Sequence, residues 1–245
     1  MNSLIPLVIG HRGAAGEAPE NTLASFQLAL EQGADGIELD VHMSKDEEIV
    51  VCHDPTLDRT TTGSGRLRAM PLSEIRRFDA GSWHSKRFQG ERVPLLDEVF
   101  ELVPEHILIN IEIKDSYSGL METKLLDVLR KKNRLNQVVI SSFDAQCVRH
   151  TKELEPEVKV GILYNSFTNN HVQFAKKLGV ELHSLHPHYQ RIGKGDVSAA
   201  VAAGLSVYPY TVNAIEDIRK MIDYRVSGVI TDYPAKMVEL LKQSY

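Results

Sequence analysis

The stretch Gly36-Ile37-Glu38-Leu39-Asp40-Val41-His42-Met43 alternates apolar and polar side chains. That period of two marks a strand with Glu38, Asp40 and His42 on one face and Ile37, Leu39 and Val41 on the other. Working outward, short β-rich apolar runs recur at residues 7–10, 107–113, 138–142, 158–164, 182–186, 206–211 and 228–231. Helix-period segments at 23–30, 120–132, 145–154, 172–178, 197–203, 215–222 and 236–242 lie between or after most of them. Strands alternating with helices argue for βαβ units and a parallel sheet. Eight such strands in 245 residues predict an α/β fold, a TIM (β/α)8 barrel occupying residues 1–245 as one domain. A doubly wound open sheet is the alternative. It is weakened because no Gly-x-Gly-x-x-Gly follows the first strand.

Composition narrows the class. Apolar residues are 42% and charged residues 25%, with a net charge of −5 and a pI near 6.1. This is a globular chain able to bury a core, without the basic surface that nucleic-acid binding demands. The one basic run, residues 130–134, follows an apolar helical stretch and reads as cations at a helix C-terminus. Two cysteines, Cys52 and Cys147, make no disulfide framework and fit a reducing compartment. The opening residues lack a basic region and a small-residue cleavage site, so they read as a first core strand rather than a signal peptide. No apolar run approaches the roughly 18 residues of a membrane span. The expectation is a soluble, cytoplasmic chain with no nucleic-acid partner and no stable membrane association, its oligomeric state open.

Residues 54–96 break the βα rhythm. They are rich in Gly, Thr, Ser and Arg and carry Phe78, Trp83 and Phe88. Long irregular segments in compact domains are commonly functional, and the aromatics predict an ordered insertion capping the active-site end. The plainer reading is a surface loop with its own small apolar cluster.

Polar groups inside or just after strands carry the functional signal, because barrel active sites sit at strand C-terminal ends. His11 and Arg12 follow the first strand, Glu38 and Asp40 lie in the second, Glu112 and Lys114 end the third, and Thr231 and Asp232 end the last. A second β run, residues 49–52, returns from a turn near Asp46 and Glu47 to His53-Asp54. A turn centred there places His53 opposite Asp40, beside the carboxylates.

Taken in order, His11-Arg12-Gly13, Pro19-Glu20-Asn21-Thr22, Glu38-Leu39-Asp40-Val41, His53-Asp54 and Glu112-Ile113-Lys114 resemble glycerophosphodiester phosphodiesterases of the bacterial cytoplasmic type. The resemblance extends through Gly81-Ser82-Trp83, Val93-Pro94-Leu95 and Thr231-Asp232-Tyr233-Pro234. It implies a TIM barrel with a small inserted subdomain. It also implies a divalent cation and hydrolysis of glycerophosphodiesters, the deacylated remains of phospholipids, to sn-glycerol 3-phosphate and an alcohol. Two positions depart from the family pattern. Glu47 stands where a Gly is common in the hairpin turn, and Tyr210 where a Trp is common.

The resemblance assigns Glu38, Asp40 and Glu112 as metal ligands. Crowded carboxylates repel one another unless a cation neutralises them, and an all-oxygen set favours Mg²⁺, Ca²⁺ or Mn²⁺. His42 shares their face but lies too far up the hairpin to ligate. His11 and His53 match the family's catalytic pair, suited to acid and base work near neutral pH; which is which stays open. Arg12 and Lys114 match the phosphate contacts. Gly13 lets the backbone turn beside the phosphate. Asn21 is read as the N-cap of the first helix. Asp232 is read as orienting another site residue or as structural. Trp83 and Phe88 are expected to close over the glycerol, and Tyr210 to keep an aromatic wall. Cys52 faces away from His53, which excludes a Cys–His dyad. The nucleophile is either water or the substrate's own glycerol 2-hydroxyl. Rival readings are a related barrel phospholipase acting on lysolipid and a non-catalytic glycerophosphodiester binder.

Overall fold

The computed structural model describes residues 5–166, 168 and 170–244. In it, strand β1 (Leu7–His11) leads to helix α1 (Leu23–Glu31), strand β2 (Gly36–Met43) and strand β3 (Ile49–Val51). A short helix α2 (Leu72–Ile75) and helix α3 (Leu96–Leu102) precede β4 (Leu108–Ile113) and α4 (Leu120–Lys131). Then follow β5 (Val138–Ser142), α5 (Ala145–Leu154), β6 (Lys159–Tyr164), α6 (His171–Lys177), β7 (Ser184–Pro187) and α7 (Lys194–Ala202). The chain finishes with β8 (Ser206–Val207), α8 (Ile215–Tyr224), β9 (Gly228–Thr231) and α9 (Pro234–Ser244). The sheet order is β8-β7-β6-β5-β4-β2-β1-β9, with β3 antiparallel on β2. Backbone hydrogen bonds from Ser227 N to Val207 O (3.0 Å), Ile230 N to Pro209 O (3.0 Å) and Val212 N to Ile230 O (2.9 Å) join β8 to β9. The expected eight-stranded parallel barrel is therefore the observed one, and the open sheet is set aside.

Local chemistry explains the departures. The strand expected over 206–211 is regular only at Ser206–Val207; Pro209 has no N–H to donate, and beyond it an isolated parallel bridge joins Tyr210 to His188. Helix α3, only seven residues long, is not among the expected helical segments. It starts after Leu95, whose N–H donates to the Glu98 carboxylate (2.8 Å). Among the described residues, no helix is long and apolar enough to cross a membrane.

The core has two zones. Outward-facing Ile37, Leu39, Val41, Ile109, Ile111 and Ile113 pack under the helices in one large cluster with Phe26, Leu125 and Met221. Inside the barrel, Ile9, Tyr208 and Ile230 form an apolar half. The opposite half is polar, with Ser141, Gly161 and Ser184 in register on neighbouring strands. His186 is fully buried there, sharing a 2.8 Å hydrogen bond with the Ser184 hydroxyl. Burial pushes its imidazole down to about 3, so it is neutral. Residues around β3 build a separate cluster: Val50, Cys52, Leu57, Leu67, Ile75, Ala80 and Val93.

Gly161 makes the polar half possible, since a Cβ there would lie 2.4 Å from His186 Nε2 and 2.6 Å from Ser184 Oγ. Gly161→Ala is expected to cost about 1–3 kcal/mol in denaturant unfolding. Gly195→Ala, in helix α7 with no atom within 4 Å of the added carbon, is expected to be neutral or to stabilise by about 0.5–1 kcal/mol.

Candidate active site

Register brings the charged side chains together. His11 pairs with Glu38 across β1 and β2, and Asp40 pairs with Glu112 across β2 and β4. Paired residues on parallel neighbours share a face, so carboxylates from two strands converge. One ligand atom from each of Glu38, Asp40 and Glu112 lies within 4.8 Å of the others, and all three side chains are buried.

Each carboxylate has fixed partners. Glu38 Oε2 accepts the Arg12 backbone N–H at 2.9 Å. Arg12 and Gly13 both have positive φ (51° and 87°), and a Cβ at Gly13 would lie 2.4 Å from Ser25 Oγ. The turn that aims the Arg12 amide at Glu38 thus requires glycine at 13. Asp40 Oδ2 lies 3.3 Å from Arg12 Nε and accepts from Asn21 Nδ2 at 2.8 Å. Lys114 Nζ donates to Glu112 Oε1 at 2.5 Å and lies 3.4 Å from Asp40 Oδ1.

The environments push the three apart electrostatically. Burial raises Glu38 well above the usual carboxylate range, with Asp40 and Glu112 repelling its charge. Burial and the Asp40 charge raise Glu112 to about 7 despite Lys114. Burial acts on Asp40 too, but Arg12 and Lys114 outweigh it and hold Asp40 below its usual value. Two cations thus fall short of neutralising three buried carboxylates, which is the electrostatic condition of an oxygen-ligand cation site.

Both histidines are steered by an aspartate. His11 Nδ1 lies 2.6 Å from Asp232 Oδ1, and its Nε2 lies 4.0 Å from Glu38 Oε2. Asp232 is held in turn by Asn213 Nδ2 (2.6 Å), so it does orient another site residue. His53 Nδ1 lies 2.7 Å from Asp54 Oδ1. A carboxylate on Nδ1 selects the tautomer whose Nε2 carries the lone pair. Burial lowers the His53 pKa, and Arg12 and Lys114 add to that, against Asp40 and Asp54.

Several expectations need correction. In the hairpin Val41 faces Val51 and the Cys52 N–H donates to Asp40 O (3.0 Å), so Cys52, not His53, stands opposite Asp40. The cause is a three-residue loop between Ser44 and Glu48, closed by Ser44 N to Glu48 O (3.0 Å), with Glu47 at φ 65°. Glu47 thus occupies the left-handed position where a Gly is common, and its carboxylate pairs with Lys124 Nζ at 2.9 Å. Asn21 is not the N-cap of α1; Thr22 is, its hydroxyl accepting from Ser25 N at 3.2 Å. Asn21 instead holds Asp40 from both sides, its Oδ1 accepting the Asp40 N–H at 3.3 Å.

His42 stays out of the carboxylate group, bound to the Tyr117 hydroxyl (2.9 Å) and the His53 carbonyl (3.2 Å). Tyr210 does line the small cavity that His11, Glu38 and Glu112 share. Its hydroxyl donates to the Tyr164 carbonyl (3.2 Å), and its ring meets Phe143 edge-on. Trp83 Nε1 donates to Ala80 O (2.9 Å) and its ring stands edge-on to His84, both within the 54–96 segment. Sequence reasoning missed Glu20, Asp54, Arg59 and Asn213 as side chains that hold the site; Glu20 and Asp54 lie in quoted motifs and Asn213 ends the family stretch that starts at Tyr210, while Arg59 carries no local signal.

A profile of the glycerophosphoryl diester phosphodiesterase family matches residues 11–236. The chain is 42% identical over 241 residues to a glycerophosphodiester phosphodiesterase of Caldanaerobacter subterraneus subsp. tengcongensis, covering 97% of this chain and 98% of the relative. It is similar to an Oleispira antarctica phosphodiesterase solved with the product sn-glycerol-3-phosphate (33% identity, TM-score 0.86, 98% of each chain). It is also similar to a glycerophosphodiester phosphodiesterase of Agrobacterium tumefaciens (30% identity, TM-score 0.83, 96% of this chain and 100% of that one). With the family's motif residues gathered at one end of a parallel barrel, this chain belongs to the glycerophosphoryl diester phosphodiesterase family.

Proposed function

We propose that the protein hydrolyses glycerophosphodiesters to sn-glycerol 3-phosphate and an alcohol at the end of the barrel where Glu38, Asp40 and Glu112 converge. The observation that carries this reading is the buried carboxylate triad flanked by two aspartate-steered histidines and two cations. Glu38, Asp40 and Glu112 would hold one divalent cation, Mg²⁺, Ca²⁺ or Mn²⁺, which when bound supplies positive charge beside the nonbridging phosphoryl oxygens. Arg12 and Lys114 bind those oxygens and stabilise the charge that builds on them.

One histidine takes the proton of the attacking hydroxyl through Nε2. The other, protonated, gives its proton to the leaving alkoxide as the phosphorus–oxygen bond to the alcohol breaks. Tyr210 offers an apolar ring wall to the bound ester, and Trp83 is assigned to the outer edge of the glycerol pocket. The 54–96 insertion caps this end of the barrel. The nucleophile is water, which gives glycerol 3-phosphate directly, or the glycerol 2-hydroxyl, which expels the alcohol to give a cyclic phosphate that water then opens; a 2-deoxy substrate that reacts at the normal rate removes the second route.

Release of glycerol 3-phosphate from sn-glycero-3-phosphocholine, followed with a coupled dehydrogenase, is expected with added Mg²⁺, Ca²⁺ or Mn²⁺ and not with EDTA. His11→Ala and His53→Ala are each expected to lower turnover about 10²–10⁴-fold, and Glu38→Ala to abolish the cation response. No release from any head group, with hydrolysis of a lysolipid instead, would move the substrate class.

Cation removal also has a signature in stability. Glu112 is raised from 4.5 to about 7 and Glu38 is raised as well. The cation-free native state therefore binds more protons than the unfolded chain. That contribution is full below about pH 4.5 and is lost as pH rises through about 7. In EDTA the melting temperature is expected to fall between pH 5.5 and 7.5, and millimolar Mg²⁺ to reverse the fall. A melting temperature indifferent to cation at pH 7.5 would count against a cation site.

A further inference from the structure

Arg59 stands outside every motif assigned so far, yet it binds two carboxylates at once. Its Nη1 and Nη2 donate to Glu20 Oε2 (2.7 Å) and Oε1 (2.8 Å). Its Nε and Nη2 donate to Asp54 Oδ2 (2.8 Å) and Oδ1 (3.0 Å). In each carboxylate the oxygen on Nη2 has a second partner at the site. Glu20 Oε1 also accepts from Arg12 Nη1 (2.7 Å), and Asp54 Oδ1 also faces His53 Nδ1 (2.7 Å). One planar guanidinium thereby joins the phosphate-binding arginine to a histidine of the acid–base pair.

We propose that Arg59 is a positioning residue, through which the 54–96 insertion sets the aim of His53 and Arg12 together. The inference rests on the roles given above to those two side chains. The loop that carries Arg59 is tied on both sides. Leu57 is fully buried in the insertion's apolar cluster and its N–H donates to Gly65 O (3.0 Å). The Thr61 N–H and hydroxyl both return to Leu57 O (3.1 and 2.8 Å), and Gly65 N–H donates to Asp58 Oδ2 (3.1 Å). The fork is therefore presented by a fixed frame, as a second layer of a preorganised site must be.

Electrostatics agree. Hydrogen bonds from Arg59 are the largest influence holding the Asp54 carboxyl below its usual range. Burial would raise Glu20, but Arg59 and Arg12 hold it down as well. Both carboxylates stay ionised and keep their grip on Nδ1–H and Nη1–H. With the Arg59 side chain 45% exposed, the pairs add little to stability; their consequence is geometric. The planar fork is what the arrangement needs. A lysine ammonium is a point charge that cannot clamp both carboxylates in two-pronged fashion.

The roles separate in steady-state kinetics with sn-glycero-3-phosphocholine. Asp54→Asn should lower kcat through His53, Glu20→Gln should raise KM through Arg12, and Arg59→Met should do both, lowering kcat/KM about 10²-fold. Arg59→Lys should recover only part, and Arg59→Met/Asp54→Asn should have no lower kcat than Arg59→Met alone. The melting temperature of Arg59→Lys should stay within a few degrees of wild type. A second readout is independent of turnover. The His53 Nδ1 proton, seen by ¹H–¹⁵N NMR in wild type, should be lost or shifted in Arg59→Met. Wild-type kinetics and an unchanged His53 resonance in Arg59→Met, beside inactive His53→Ala and Arg12→Ala, would overturn the inference alone. An active His53→Ala would overturn it together with the role given to His53.

Discussion

Everything at the barrel mouth follows from the repulsion of three carboxylates that strand register will not let separate. Glu38 and Asp40 share a face because a strand has a period of two. Glu112 joins them because β4 pairs with β2 residue for residue, Asp40 beside Glu112. Backbone hydrogen bonds fix those distances, so the side chains cannot relax by moving apart. The remaining escapes are protonation, countercharge or a bound cation. The chain uses countercharge in part, with Arg12 and Lys114 leaning on Asp40. Burial of Glu38 and Glu112 leaves the rest of the charge uncompensated.

The surrounding polar side chains are best understood as holders of geometry against that repulsion. Asn21 grips Asp40 at its carboxylate and its backbone. The Arg12 amide is turned into Glu38 by a pair of left-handed residues. Asp232 and Asp54 do for the histidines what Asn21 does for Asp40: each spends one oxygen on a ring nitrogen and is itself restrained from the other side. An unrestrained carboxylate would let its histidine swing. The restraint comes from three parts of the chain far apart in sequence, the β1–α1 loop, the 54–96 segment and the loop after β8.

What the sequence discloses and what it hides divide along the range of the interactions. Alternation at 36–43 and apolar runs elsewhere show where strands lie, because burial of one face is written locally. The positions of Glu38, Asp40 and Glu112 follow directly, since strand ends and barrel mouths coincide. The partner of a polar side chain is not written locally. Asn21 precedes a helix and looks like its cap; only the fold brings Asp40 to it. The hairpin register turned on one residue, because Glu47 adopts a left-handed conformation usually given to glycine and shortens the loop the spacing implied. Arg59 is one arginine in a segment rich in them, and its importance is visible only once Glu20 and Asp54 are seen on either side. Helix α3 spans only two turns, too few for its period to stand out.

The seam between β8 and β9 bears on the site in an unequal way. It is the thinnest join of the ring, made by a few backbone contacts and by Asn213, which reaches across to Asp232. Strands β2 and β4, which carry the carboxylates, are set back from it behind β9 and β1 in the sheet order. His11 is different: its steering aspartate sits on the seam itself. A ring that loosens there would keep its carboxylates in place and lose the heading of one imidazole. The carboxylates and the heading of His11 thus depend on different joins of the cylinder, and slack at the seam would disturb the imidazole before the carboxylate group.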